Sequence, residues 1–162
     1  MIKLNRKKFQ IKTFTDKNIN KKFLNSLNNK NLNKFLSTNK KKQKFEDALN
    51  YLNYMNKNKH IYLGVFNRSV KQDLIGTITF RTNKINNYYL GYMICDERYL
   101  GKDIFFNSLL IIIKYLFKKK NLKKISAGID KKNLSSGFFL LKLGFKIISK
   151  TKKTIKFEKV KN

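Results

Sequence analysis

Apolar positions alternate with polar ones, or recur every third and fourth residue, along almost the whole chain. Residues 9–14 alternate Phe, Ile and Phe with polar side chains, the two-residue period of a strand with one buried face. Thr15 or Asp16 can cap a following helix, whose apolar residues Ile19, Phe23 and Leu27 recur every fourth position. Phe45, Ala48, Leu49, Leu52 and Met55 fall on one face of a clearer amphipathic helix. Residues 61–66 form a short, wholly apolar strand, and 74–80, with Gly76 inside, form another. Turn residues at 83–87 join that strand to 88–95 as a hairpin. A long helix follows over about 101–119, with Lys118, Lys119 and Lys120 at the negative end of its dipole. Ile125, Ala127 and Ile129 alternate as a strand. Asn133 caps a helix that runs to about Leu143 and stops at Gly144. Residues 147–148 and 154–160 close the chain with strand character, and the Lys- and Asn-rich run 40–44 reads as a loop.

The order β-α-α-β-β-β-α-β-α-β-β predicts an α+β, or mixed α/β, domain with one sheet covered by helices on its faces. The 162 residues suit a single domain spanning 1–162, and no repeat or Pro- or Gly-rich linker divides them. The most apolar stretch, residues 104–117, is too short for a membrane span and contains Asn107, Ser108 and Lys114. The first ten residues lack the apolar core of a signal peptide, and Cys95 is the sole cysteine, so the expected setting is a reducing cytoplasm without membrane attachment.

Charge changes this picture little. A formal charge of +29 suggests a polyanionic partner. Yet Lys, Asn, Ile and Phe dominate, Pro and Trp are absent, and Ala stands only at positions 48 and 127, the bias an AT-rich coding sequence produces unaided. The lysines are spread out, and no zinc spacing, RNA-recognition aromatic motif or glycine-clamp loop accompanies them, so no specific nucleic-acid partner is expected. A field this positive still attracts anions.

The chemistry concentrates between residues 90 and 145. The strand carries Gly91-Tyr92-Met93-Ile94, the loop opening the long helix carries Tyr99, Gly101 and Lys102, the last helix opens with Asn133 and Ser136, and Leu143-Gly144-Phe145 follows. A strand that turns tightly into a helix aims unpaired backbone N–H groups at one point, which suits a pyrophosphate. These motifs, with Ile75-Gly76-Thr77 before them, resemble the acetyl-CoA-binding half of GNAT acetyltransferases, closest to the ribosomal-protein-alanine subgroup and its amino-sugar-acetylating relatives. The resemblance implies a mostly antiparallel sheet of six to seven strands flanked by about four helices. It implies N-acetyl transfer from acetyl-CoA, as cosubstrate, to a primary amine by direct attack, with no metal.

The same resemblance places the pyrophosphate on Leu100, Gly101, Lys102, Asp103, Ile104 and Phe105, the pantetheine arm on backbone groups of Met93, Ile94 and Cys95, and Asn133, Ser136 and Phe139 along the coenzyme. Asp103 stands where the family has Gly, an anion beside an anion whose other reading is a helix N-cap. Leu140 stands where many members carry the Tyr that protonates the leaving thiolate, so Ser136, a tyrosine from elsewhere or solvent must do so. The acidic position other members use on the fifth strand is Gly128 here. Glu97 is the expected general base, ahead of Asp96 and His60. Cys95 reads as packing rather than as a nucleophile. The resemblance implies an amino sugar, a protein N-terminus or a small polyamine-like metabolite as acceptor, with the amino sugar slightly preferred; the basic surface suits a nucleotide-linked sugar and repels a polyamine, and the expected state is a monomer or homodimer. Two other readings stand beside this one: a non-catalytic GNAT scaffold and a basic nucleic-acid-binding protein.

Overall fold

The computed structural model describes residues 2–36, 41–70, 73–84, 87–119 and 122–161. Its strands are β1 (Lys3–Asn5), β2 (Phe9–Thr13), β3 (Ile61–Asn67), β4 (Asp73–Lys84), β5 (Asn87–Ile94), β6 (Lys124–Asp130), β7 (Lys146–Lys150) and β8 (Thr154–Val160). Its helices are α1 (Lys21–Asn28), α2 (Lys30–Asn33), α3 (Phe45–Lys57), α4 (Asp103–Lys119) and α5 (Leu134–Lys142), with short 3-10 turns at Asp16–Asn18 and Glu97–Tyr99. All strands form one sheet in the order β1-β2-β3-β4-β5-β6-β8-β7. Every neighbouring pair is antiparallel except β5 and β6, which the crossover helix α4 makes parallel.

The α+β class and the mostly antiparallel sheet are as expected, with eight strands and five helices among the described residues. The two additions are β1, too short to show a period, and α2, a single turn whose cap Asn29 accepts the N–H groups of Asn31 and Leu32. The first helix begins later than expected. Thr15 opens the 3-10 turn, its N–H donating to Asn18 Oδ1 at 2.9 Å, and Asn20 is the true cap, accepting Phe23 N–H at 3.0 Å. The hairpin arms reach Lys84 and Asn87, leaving residues 85 and 86 of the predicted turn outside the described residues, as are Lys40 and Lys120. Gly144 ends the last helix in the left-handed region, at φ +81.

Two cores flank the sheet. On one face Phe105, Leu109, Ile112 and Leu116 of α4 and Leu140 of α5 pack on Ile75, Ile78, Phe80, Leu90, Ile125 and Phe157. On the other, Phe23 of α1 and Ala48, Leu52 and Met55 of α3 pack on Phe14, Tyr62, Phe66, Leu74, Met93 and Cys95. Alternation along β5 therefore sends Leu90 to the α4 face and Gly91, Met93 and Cys95 to the α1–α3 face. Among the described residues no helix is long and apolar enough to cross a membrane.

Candidate active site

The parallel pairing of β5 with β6 runs only from Asn87–Lys124 to Leu90–Ala127. Beyond it β5 continues to Ile94 and β6 to Asp130 without pairing to each other, so the sheet opens into a cleft between them. Backbone direction decides which groups line that cleft. Cys95 N–H donates to the Ile75 carbonyl on β4 at 2.8 Å. Alternation then turns the N–H of Met93 to β4 as well and leaves those of Tyr92 and Ile94 facing the open edge. Of the backbone donors expected at Met93, Ile94 and Cys95, Ile94 alone is free for a ligand, and Tyr92 joins it. The thiol of Cys95 is buried, and burial pushes its pKa up to about 12, far from a nucleophile's range.

The loop after β5 leads into α4. Leu100 N–H donates to the Glu97 carbonyl and Lys102 N–H to the Tyr99 carbonyl, so these two expected phosphate donors are spent inside the loop. The N–H groups of Gly101, Asp103, Ile104 and Phe105 have no protein acceptor among the described residues and cluster at the positive end of α4. Gly101 has φ +70, and a β-carbon there would meet nothing within 4 Å, so the backbone demands glycine and the space above it is open. Phe105 contributes its backbone only: its ring is fully buried and stacks toward Gly76. Asp103 is the first residue of the helix rather than its cap. Its carboxylate is 80% exposed and lies 3.8 Å from Lys142 Nζ of α5, which also sits over the Phe106 ring.

The first turn of α5 faces the same cleft. Asn133 Oδ1 caps the helix by accepting Ser136 N–H at 3.2 Å. Half-buried Phe139 packs on Tyr92 at 5.3 Å and on Phe106 at 5.7 Å between ring centres. The Tyr92 hydroxyl reaches the Ser136 carbonyl at 3.5 Å, a long contact that brings a phenol beside Ser136. Burial raises its pKa, partly offset by that contact. Leu140 is wholly buried, so nothing polar can act from there.

Glu97 lies elsewhere. It follows β5 on the α1–α3 side, where Oε1 accepts the side-chain N–H groups of Asn29 and Asn31, both at 3.0 Å. A pocket of about 350 Å³ opens beside it, lined by Lys22, Asn25, Ser26, Asp96 and Arg98 among others. Tyr92 is five residues back, at most roughly 16 Å at about 3.3 Å per extended residue, and no hydrogen bond links Glu97 to Ser136 among the described residues. Under the pocket, Asp73 accepts hydrogen bonds from Lys22 Nζ, from Arg98 Nη2 at 3.0 Å and from Tyr99 Oη at 2.6 Å. Asp96 pairs with Arg98 at 2.7 Å and Lys22 at 3.2 Å. Burial alone would raise the Asp73 carboxyl, but these donors together hold it below the ordinary carboxylate value. The Arg98 guanidinium, against some burial, holds Asp96 lower still. His60 is remote, at the other end of β3, where its Nδ1 accepts Thr82 N–H. Tyr99, a motif residue, thus acts as a strut under the Gly101 turn.

Sequence reasoning missed the Tyr92 phenol and Asp73. Tyr92 was visible as the tyrosine of the Gly91–Ile94 motif, but which face it takes follows from strand register. Asp73 carried no signal at all, since its partners come from positions 22, 98 and 99.

The comparisons with known proteins bear on this geometry. The Acetyltransferase (GNAT) domain family matches residues 10–146. A probable N-acetyltransferase of Bacillus subtilis is 27% identical over 68% of this chain and 61% of its own length. The ribosomal protein uS5 alanine N-acetyltransferase of Escherichia coli is 31% identical over 52% of this chain and 44% of its own, so the chain spans about half the length of these curated relatives. A GNAT-family acetyltransferase of Bacillus anthracis superposes with a TM-score of 0.83 at 18% identity, covering 98% of both chains. With the family match extending from β2 to the start of β7, across the open strand edge and the α4 turn, the chain belongs to the GNAT acetyltransferase family.

Proposed function

We propose that the protein transfers an acetyl group from acetyl-CoA to a primary amine by direct attack. The observation that carries this reading is the split between β5 and β6, whose open edge ends beside the free N–H groups of the α4 turn. Donors at Gly101, Asp103, Ile104 and Phe105 suit the pyrophosphate, with Lys102 adding charge. Ile94 offers its backbone N–H and carbonyl to the pantetheine amides, and Asn133, Ser136 and Phe139 line the other wall. In the transfer, a C–N bond forms and the C–S bond breaks, the nitrogen loses a proton and the sulfur gains one. The Tyr92 N–H, at the deep end of the open edge, is placed to hold the oxyanion. Ser136 and the Tyr92 phenol are the groups at hand to protonate the sulfur. Glu97 draws the cationic acceptor into the pocket and takes its proton through water, given its distance from the split. The pocket, walled by α1 and α2, admits a protein N-terminus or an amino sugar, and a nucleotide-linked sugar also suits the basic surface.

Thiol release from acetyl-CoA tests this reading, with a peptide bearing an alanine N-terminus, a nucleotide-linked amino sugar and a linear polyamine each supplied as acceptor. Turnover with at least one is expected, and none with any would refute it. Asp103 offers a finer check. Its carboxylate opposes a pyrophosphate at the same helix end, although Lys142 offsets part of that charge. Asp103→Asn is expected to tighten acetyl-CoA about two- to fivefold, with the gain shrinking at high salt. It should cost a few tenths of a kcal/mol of stability through the helix dipole. Calorimetric titration at two salt concentrations measures the affinity, and a thermal melt measures the stability.

A further inference from the structure

Gly128 stands on β6 one residue beyond the last β5–β6 pair, at the point where the sheet splits. Its neighbour Ala127 faces the α4 core, so the side of Gly128 that would carry a β-carbon looks toward the opposite face. That space is filled. The Tyr89 hydroxyl oxygen lies 2.1 Å from where a β-carbon of Gly128 would be, and the Tyr89 ring carbon bearing it lies at 3.4 Å. Tyr89 is 38% exposed, sits directly across from Arg81 on β4, and holds the Arg81 guanidinium 5.4 Å from its ring centre. A phenol from β5 therefore occupies the place where β6 has no side chain, at the bottom of the cleft and on the α1–α3 face.

The geometry points to Tyr89 as a catalytic residue that meets the acceptor's amine, an inference that rests on the acetyl-transfer reading. The helix end suited to the pyrophosphate packs with the α4 face, so the open approach to a carbonyl in the split is from the other face, where Tyr89 stands. There the phenol oxygen accepts a hydrogen bond from an N–H of the attacking nitrogen and aims its lone pair at the carbonyl carbon. As the C–N bond forms, the nitrogen becomes cationic and this hydrogen bond strengthens, so it is worth more in the transition state than before it. The phenol keeps its own proton throughout. The nitrogen's proton leaves through water to Glu97, and the sulfur takes one from Ser136 or the Tyr92 phenol as the C–S bond breaks.

Two substitutions isolate the oxygen. Tyr89→Phe removes it and keeps the ring. Gly128→Ala leaves Tyr89 in place but forces the hydroxyl aside, because that contact cannot shrink to 2.1 Å. The double variant relieves the clash, since a Phe ring there leaves the new methyl an ordinary contact. With the acceptor panel above, each single variant is expected to lower kcat about ten- to a hundredfold, with acetyl-CoA affinity by calorimetry unchanged. Adding Gly128→Ala to Tyr89→Phe should cost no more. A Tyr89→Phe enzyme within threefold of wild type overturns the assignment and leaves the acetyl-transfer reading standing. Loss of acetyl-CoA binding in Tyr89→Phe also overturns it, by placing the phenol on the coenzyme's side. A wild-type protein that turns over no amine refutes both.

Discussion

Replacing Gly76 by alanine is expected to lower stability by about 2–3 kcal/mol and to weaken acetyl-CoA binding by at least about tenfold. A β-carbon at Gly76 would lie 2.5 Å from the Met93 carbonyl oxygen and 2.5 Å from Cε2 of Phe105. The first is backbone of the neighbouring strand and cannot swing away. The second is a fully buried ring on the first turn of α4. Relief must come from moving β4 off β5 or lifting the start of α4, and overpacking of this kind costs about 1–3 kcal/mol. Either movement disturbs one of the two elements, β5 and α4, that the coenzyme is proposed to touch. For a chain of this size the melting temperature should fall by about 5–10 °C. Adding Phe105→Leu should recover only part of it, because the carbonyl contact stays. Thermal melts and acetyl-CoA titration of the single and double variants measure this, and an unchanged affinity in Gly76→Ala would show that the β4–β5–α4 junction does not shape the coenzyme site.

The second large effect concerns Asp73. Its side chain is 3% exposed and takes three donors from α1 and from the loop before α4. Removing the carboxylate strands the Tyr99 hydroxyl with Asn67 as its remaining partner and leaves Lys22 and Arg98 paired with Asp96. Lys22 and Arg98 are 48% and 63% exposed, so water recovers much of their loss. Asp73→Ala is accordingly expected to cost about 2 kcal/mol rather than the 3–5 of a fully buried pair. The pH dependence has a definite sign. Asp73 and Asp96 titrate below their ordinary values in the folded protein, so the unfolded chain binds more protons as the medium acidifies. Their stabilisation is fully present above the unfolded carboxylate range, near pH 4, and is lost as pH falls through the folded values. Wild type should lose stability more steeply than Asp73→Asn below about pH 4, and parallel denaturation curves would contradict that.

Legibility in the sequence differed from residue to residue. The elements from β2 to β8 were legible wherever the apolar period ran for five residues or more, because burial on a sheet or helix face leaves that period behind. The α4 turn was legible from Gly101, since a strand, a glycine and a long helix in succession restrict where free N–H groups can point. Asp73 and Tyr89 were not legible. Asp73 acts through partners brought from both sides of it by folding, and Tyr89 acts through a gap left by Gly128, and neither relation has a spacing. The same limit explains Cys95, whose backbone was expected to face the coenzyme. Which of two adjacent N–H groups faces an open edge depends on register with β4, a tertiary property. Glu97 was found as an acid at the end of a strand, but the asparagines that hold it sit on helices packed from the chain's first third.

The measurement that bears most directly on the central claim is thiol release from acetyl-CoA by the wild-type protein, followed with and without each acceptor amine. Acceptor-dependent release that saturates with acetyl-CoA and falls in the Gly76→Ala variant is the predicted result. A rate that stays at the protein-free background with every amine, from a folded protein at millimolar acetyl-CoA, would contradict it.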